Sequence, residues 1–513
     1  MSPDAPLDRP SHPDGQPFLA PAGSETAPVE STTPPPVPAP PPVSVTAAPA
    51  GATLSRLAPI AIASALFMEF IDSTSLSTAL PTLAREFHSD PVHVKLALTS
   101  YLLALAVVAP AGGWVADRLG AKRVFLSAMA VFLVGSVLCG FSRSMPELVA
   151  ARILQGCGGA MMTPVGRIMI VGSSPKEKLV QAMAWFTTPA LVGPLIGPPL
   201  AGLVLGVASW PFIFFVNVPV GIAGMVAVHY LAPDIRQPDP GRFDLFGFFI
   251  TAIAITGVVV TAETVGLGLV PLWAQALIVS VTLLVGVWFV RHVRRAEKPI
   301  LNLSLLRYST FRTSLIGGTM VRLGIGATPF LVPLLLQVGL GWSPVKAGLV
   351  TIFTGVGALT ARSFARRVIG TYGFRSVLLA TGVGSAIVTA LPAAFREGTP
   401  VALIVLAFFV AGMVRSTQFI SANTVAYAEV PQGEVSQAST LATVTQQIGL
   451  ALGVSLGAFS LHLVRGTGGA LTPDKFTLPF LMIGLVTLAA QPFYWRLSPD
   501  AGSEISGKRT AAA

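Results

Sequence analysis

The sequence predicts an all-α membrane protein with fourteen transmembrane helices. Of its 513 residues, 52% are hydrophobic and only 11% charged, and the mean hydropathy is +0.72. A soluble domain of this size would carry far more charge. The charges also gather in short clusters between long apolar runs. The clearest cluster is Gly113-Trp114-Val115-Ala116-Asp117-Arg118-Leu119-Gly120-Ala121-Lys122-Arg123. Its glycines let the backbone reverse, Asp117 can cap a helix N-terminus, and its basic residues belong on the cytoplasmic side of a membrane.

A spanning helix needs about 20 mostly apolar residues. By that ruler the first six spans fall at 57–80, 96–116, 124–142, 147–171, 181–207 and 211–231. Two nearly charge-free spans follow at 245–265 and 271–290, with Glu263 as their one acid. The last six are placed at 313–338, 345–365, 376–394, 400–420, 437–463 and 477–496. Domain limits follow: a Pro-rich tail at 1–54, a six-helix bundle at 55–232, two extra spans within 233–298, a second bundle at 299–497 and a tail at 498–513. Both tails are expected to be disordered. The first holds the run from Pro34 to Pro42 and lacks the basic start and apolar stretch of a signal peptide.

Orientation follows from the loop cations. One set of loops carries Arg118, Lys122, Arg123, Arg291, Arg294, Arg295, Arg362, Arg366 and Arg367, among others. The alternate set carries only Arg85, Lys95, Arg143, Lys346, Arg396, Arg465 and Lys475. The first set is therefore expected in the cytoplasm, and an even number of spans puts both termini there. The formal net charge of +10 is thus read as topology, and nucleic acid is not expected as a partner.

Charges inside a bilayer cost roughly 2.5–3.5 kcal/mol each at a helix centre, so Glu69, Asp72, Arg152, Arg167, Glu263, Arg322 and Arg415 are functional candidates. Glu69 and Asp72 stand three residues apart on one face of span one, and two acids so close do not both ionise easily. One holding a proton near neutral pH is what a proton carrier needs; the competing reading is a static ion pair of Asp72 with Arg152. Span four presents Arg152, Gln155, Gly156 and Gly159 as a polar, small stripe facing the interior. In span five, Gly193, Pro194 and Gly197 combine a close-packing face with a kink.

In their order along the chain these features resemble the major facilitator superfamily, and within it the fourteen-span drug:proton antiporters of the multidrug efflux type. The loop pattern at 113–123 is similar to that between spans two and three of the superfamily. Asp72 with Ala79-Leu80-Pro81, the span-four stripe, the span-five motif, and the segments Trp210 to Gly221 and Gly341 to Leu349 match the narrower branch. The resemblance implies two six-helix bundles with two extra spans outside them, rocking about a midplane site to exchange protons for a small-molecule substrate in the inner membrane. It implies that the loop Gly113, Asp117, Arg118, Gly120, Lys122 and Arg123 latches one state, and that the Gly193, Pro194 and Gly197 motif suppresses leak. It leaves open an envelope-spanning adaptor as a partner.

The candidate substrate residues are Gln155, Arg322, Arg415, Gln418, Gln446 and Gln447. Spans nine to fourteen show no clear intramembrane acid to neutralise Arg322 and Arg415. Either the span-one carboxylates reach across the central cleft to pair with them, or the cavity accepts an anionic or polar substrate; organic acids or zwitterions are expected over lipophilic cations, with Arg322 as the main contact. No enzyme is expected: the six histidines form no ligand pair, Cys139 and Cys157 lie inside spans, and neither a catalytic set, a metal site nor a cofactor emerges. The alternatives are a proton symporter importing an organic anion and, in another class, a non-transporting receptor or scaffold on the same fold.

Overall fold

A computed structural model describes residues 57–174, 179–187, 189–235, 243–265, 270–296, 299–465 and 471–506. The expected tail at 1–54 and the last residues of the tail at 498–513 lie outside them. Helices dominate, and no strand occurs among the described residues. Eleven helices among the described residues are long and apolar enough to cross a membrane.

The first half holds α1 (Ala58–Glu86), α2 (Val92–Leu119), α3 (Ala121–Phe141), α4 (Met145–Ser173), α5 (Pro189–Val207) and α6 (Phe212–Leu231). Local chemistry sets their ends. Asp90 accepts from the Val92 amide at 2.8 Å to start α2, and Ser144 caps α4 while Glu147 accepts from the Arg143 amide at 2.8 Å. Gly120, at φ 96°, turns α2 into α3, a conformation open to glycine alone without strain. The expected span at 181–207 is divided between a short helix, Leu179–Thr187, and α5.

Two further helices, α7 (Leu245–Thr264) and α8 (Leu272–Arg295), form a hairpin outside the rest. Asp244 caps α7 through the Gly247 amide at 2.8 Å and meets His292 of α8 at 2.9 Å, which closes the open end of the hairpin. On α7 the buried residues Gly247, Ile250, Thr251, Ile255, Val259 and Glu263 form one stripe at helical spacing, whereas α8 buries only Val293. The hairpin therefore lies against the molecule through α7 and shows α8 to the lipid.

The second half holds α9 (Ser309–Gly339), α10 (344–372), α11 (374–394), α12 (Val401–Ala426), α13 (Val435–Val464) and α14 (Pro473–Trp495). Where the sequence analysis expected a loop between spans ten and eleven, one helical run extends from Pro344 to Ala390, broken only at Gly373 with φ 78°. Gly373 thus repeats in the second half the turn Gly120 makes in the first. After Pro329 and Pro333, α9 ends in a π-helical turn at Leu335–Gly339.

One apolar core lies within the first half, around Phe125, Phe132 and Phe186. Another lies within the second half around Phe374 and Tyr494. A third joins the halves through Leu80, Phe214, Phe330 and Phe476. The halves also meet where α5 crosses α10: a Cβ at Gly348 would stand 2.5 Å from the Pro198 carbonyl oxygen, and one at Gly202 2.6 Å from that of Pro344. Gly193 does the same against α1, 2.6 Å from Phe70 Cβ. The glycines of α5 thus serve two neighbours, one in each half.

Candidate functional site

Asp72 lies inside the first bundle with its side chain fully buried. Its Oδ2 meets Arg152 Nη1 at 2.5 Å, while Oδ1 accepts from Gln155 Nε2 at 2.9 Å and Asn217 Nδ2 at 2.8 Å. Ser136 Oγ accepts from the same two amides, at 3.2 and 2.9 Å, and donates to the Phe214 carbonyl at 3.0 Å. Arg152 donates from Nε to the Ala97 carbonyl at 3.0 Å and lies over the Tyr101 ring, 4.2 Å from its centroid. Removing two charges from water costs several kcal/mol per ion, which only a well-connected network offsets. α1, α3, α4 and α6 each contribute a member to this one, so it also ties the bundle together.

Two cavities flank this level of α1. The far cavity, of about 330 Å³, lies toward the C-terminal half of α1 and is lined by Ser77, Tyr101, Arg152, Thr389, Phe408 and Arg415, with further apolar residues of both halves. Arg152 is therefore shared: it neutralises Asp72 and forms part of the cavity wall. Arg415 donates to Thr389 Oγ1 at 2.9 Å, while its Nε and Arg152 Nη2 are buried without hydrogen-bond partners. The other cavity, of about 460 Å³, opens toward the basic end, where the Asp117 loop lies. Glu69 is on its wall, with Arg167, Gln446 and Gln447. The two carboxylates of span one thus serve different surroundings, Asp72 the bundle interior and Glu69 a cavity.

The residues expected to hold substrate are not in one place. Gln155 belongs to the Asp72 network, Arg415 to the far cavity, and Gln446 and Gln447 to the basic-end cavity. Gln418 is buried and hydrogen-bonds Thr381. Arg322 lies on the wall of neither of these two cavities, and its guanidinium packs beside Gly318.

Asp117 is half-buried in the last turn of α2, and no ion pair involves it among the described residues. Its loop is held to its own bundle: Lys122 Nζ donates to the His229 carbonyl at 2.5 Å, the Ala121 amide to that of Ile235 at 2.9 Å, and Arg118 lies over Trp114. A Cβ at Gly113 would meet open space, and Arg123 lines a groove beside α3. In α5, Gly197 accepts at its carbonyl from Ser75 Oγ at 3.0 Å, and Pro194 lines the far cavity.

Sequence reasoning missed Asn217, Ser136 and Tyr101, since single neutral polar residues in apolar spans carry no charge signal. It also assigned Lys95 to a loop. The structure buries Lys95, 1% exposed, against Glu263 of α7 at 2.7 Å, and Glu263 accepts from Ser455 Oγ of α13 at 2.6 Å. No cluster of three or more His, Cys, Asp or Glu able to hold a metal occurs among the described residues.

The sequence pattern of the Major Facilitator Superfamily matches residues 62–306 and 314–512. A protein of Escherichia coli strain 55989, named for multidrug resistance as MdtD, is 37% identical over 454 residues, 87% of this chain and 96% of its own length. The MdtD of Enterobacter sp. strain 638 is 35% identical over 451 residues, 86% and 95% of the two chains. Among solved structures, an auto-inhibited POT family peptide transporter aligns with a TM-score of 0.63 at 15% identity, covering 85% of this chain and 97% of that one. A D-xylose-proton symporter aligns at 0.61 and 16%, covering 86% and 97%. At such identities the likeness concerns the fold alone. The two-bundle architecture, the buried Asp72 network and the match over nearly all of the described chain lead to one conclusion: this chain belongs to the Major Facilitator Superfamily and is a multi-pass membrane transporter, not an enzyme.

Proposed function

We propose that the chain exports small amphiphilic organic compounds by alternating access, in exchange for protons. The observation that carries this reading is the sharing of Arg152 between Asp72 and the far cavity. A proton on Asp72 removes the charge that neutralises Arg152, and the cavity wall becomes more positive. An organic cation and a proton then exclude each other, which is the requirement for exchange. The names of the MdtD relatives support the outward direction.

In the same reading α4, α5 and the two arms beside Gly373 all cross the bilayer, giving fourteen spans in an inner membrane with both termini cytoplasmic. Residues 55–232 and 299–497 form the rocking bundles. The Asp117 loop is a latch, with Asp117 in no ion pair among the described residues here and paired across the bundles in the other state. The energy source is the proton gradient, with no cofactor.

A second reading, proton symport of an organic anion, is favoured by the unpartnered guanidinium nitrogens of Arg152 and Arg415 in the far cavity. The deciding experiment uses proteoliposomes with an imposed pH gradient and a panel of cationic, neutral and anionic compounds. Exchange requires uphill movement of substrate against the proton flow in the wild type and its loss in Asp72→Asn, with binding retained. Wild-type rates in Asp72→Asn, or uphill movement with the proton flow, would refute it.

A further inference from the structure

Glu263 is a buried acid that belongs neither to the Asp72 network nor to the wall of either cavity. It stands in the last turn of α7, at the end opposite the basic loops, and is 6% exposed. Its Oε2 meets Lys95 Nζ of α2 at 2.7 Å, and its Oε1 accepts from Ser455 Oγ of α13 at 2.6 Å. One carboxylate therefore bridges the two halves, since α2 belongs to the first and α13 to the second. Further along α7, Ile255 shares a core with Ala106 of α2 and with Leu441 and Val444 of α13, so the helix lies along a seam where the halves touch. From this we infer that the far end of the outer hairpin travels with the first half, and that the Glu263 to Ser455 bond is the contact released when the halves part there. The inference rests on the proposed alternating access and gives that cycle a positioning residue, Glu263.

The halves are joined at the far end by the core around Leu80, Phe214, Phe330 and Phe476, while the 460 Å³ cavity opens at the basic end. Alternating access requires the far end to open in turn. Lys95 and Ser455 then separate, and Glu263 can follow only one of them. Apolar packing does not choose between them, because α7 rests on α2 and α13 to a similar extent. Charge does. Lys95 is 1% exposed, and drawing it away from Glu263 would leave two opposite charges unpaired in a buried place. Ser455 is neutral, and its hydroxyl also lies 3.0 Å from the Ala451 carbonyl one turn back, so it keeps an acceptor when Glu263 leaves. The weaker of the two bonds is thus also the one with a fallback. At the basic end the segment after the hairpin is held to the second half, through Asn302 donating to Gln437 at 2.7 Å and Arg307 paired with Glu434 at 2.7 Å. The hairpin is anchored to one half at each end, and only the far end has to choose.

The test uses the full chain in lipid nanodiscs with Cys157→Ala; Cys139 is fully buried and escapes labelling. Nitroxides are placed in pairs on exposed far-end positions, Arg143 of the first half, Leu272 of the hairpin and Glu397 of the second half, and their separations read by double electron–electron resonance at acidic and at alkaline pH. A longer separation of Arg143 from Glu397 marks the parted far end. Wherever it appears, Leu272 is expected to move away from Glu397 by the same step and to keep its distance from Arg143. Ser455→Ala removes the bond and leaves the ion pair, and is expected to raise the ratio of parted to closed molecules about tenfold. If the bond only glued the fold, that variant would lower the melting temperature and leave the ratio alone.

A hairpin that stays with the second half, an unchanged ratio in Ser455→Ala, or a far end that never parts would each overturn the inference. Should Ser455→Ala fail to fold, the wild-type separations decide alone. Failure of the transport reading is separable: the expected separations without uphill movement of substrate in proteoliposomes sink transport and keep the release contact, whereas proton-driven export with a hairpin that follows the second half does the reverse.

Discussion

Arg152 is the residue on which three functions converge: it neutralises Asp72, stacks on Tyr101 and lines the far cavity. Removing one partner of a buried pair leaves the other charge unpaired, at a cost of about 3–5 kcal/mol. Arg152→Ala should lower stability by that amount in a melt of the purified protein, and adding Asp72→Ala should restore a large part of it. If the double variant is no more stable than the single one, the pair is not what holds the network. Asp72 and Arg152 were legible from sequence because charges stand out in apolar runs, and Gln155 because it shares a polar, small stripe with Arg152. The separation of Glu69 from Asp72 was not legible. Three residues along a helix fall about 60° short of a full turn, enough to move a side chain from a bundle interior to a cavity wall. Asn217 and Ser136 escaped because one neutral polar side chain leaves no pattern.

At the scale of elements, α7 is more than a spacer. Glu263 joins Lys95 at the start of α2 to Ser455 of α13, so the outer hairpin is bound to both halves at the end opposite the basic loops. Glu263→Ala should strand the Lys95 charge and destabilise the protein by about 3–5 kcal/mol, with faster hydrogen exchange along α7; unchanged exchange there would show that apolar packing alone holds the helix. The helices themselves were legible because a bilayer demands long apolar runs. Their junctions were not: a single glycine at positive φ, Gly373, replaces the expected loop between α10 and α11, and nothing local in composition distinguishes it from the glycines that only pack. The α5 glycines read correctly as packing, but not as packing against two partners, since a contact across halves depends on the whole assembly.

For the whole molecule, the two cavities lie on opposite sides of the Asp72 level, one walled by Glu69 and the other by Arg152 and Arg415. The family was legible across almost the entire chain, because motifs at the loop, α4 and α5 occur in fixed order. The substrate class was not, because it depends on which helix faces close around a cavity. A charge crossing about 100 mV yields roughly 2.3 kcal/mol, so one proton per cycle sustains a gradient well above tenfold for a neutral compound. The central claim is that substrate and proton move in opposite directions through one cycle. It is tested most directly by proteoliposomes loaded with a pH-sensitive dye, with equal pH on both sides and only a substrate gradient imposed inward. Exchange predicts that substrate entry makes the lumen more alkaline, and that Asp72→Asn abolishes the change. A lumen that turns acidic as substrate enters, or one that stays at its starting pH while substrate crosses, would contradict the account.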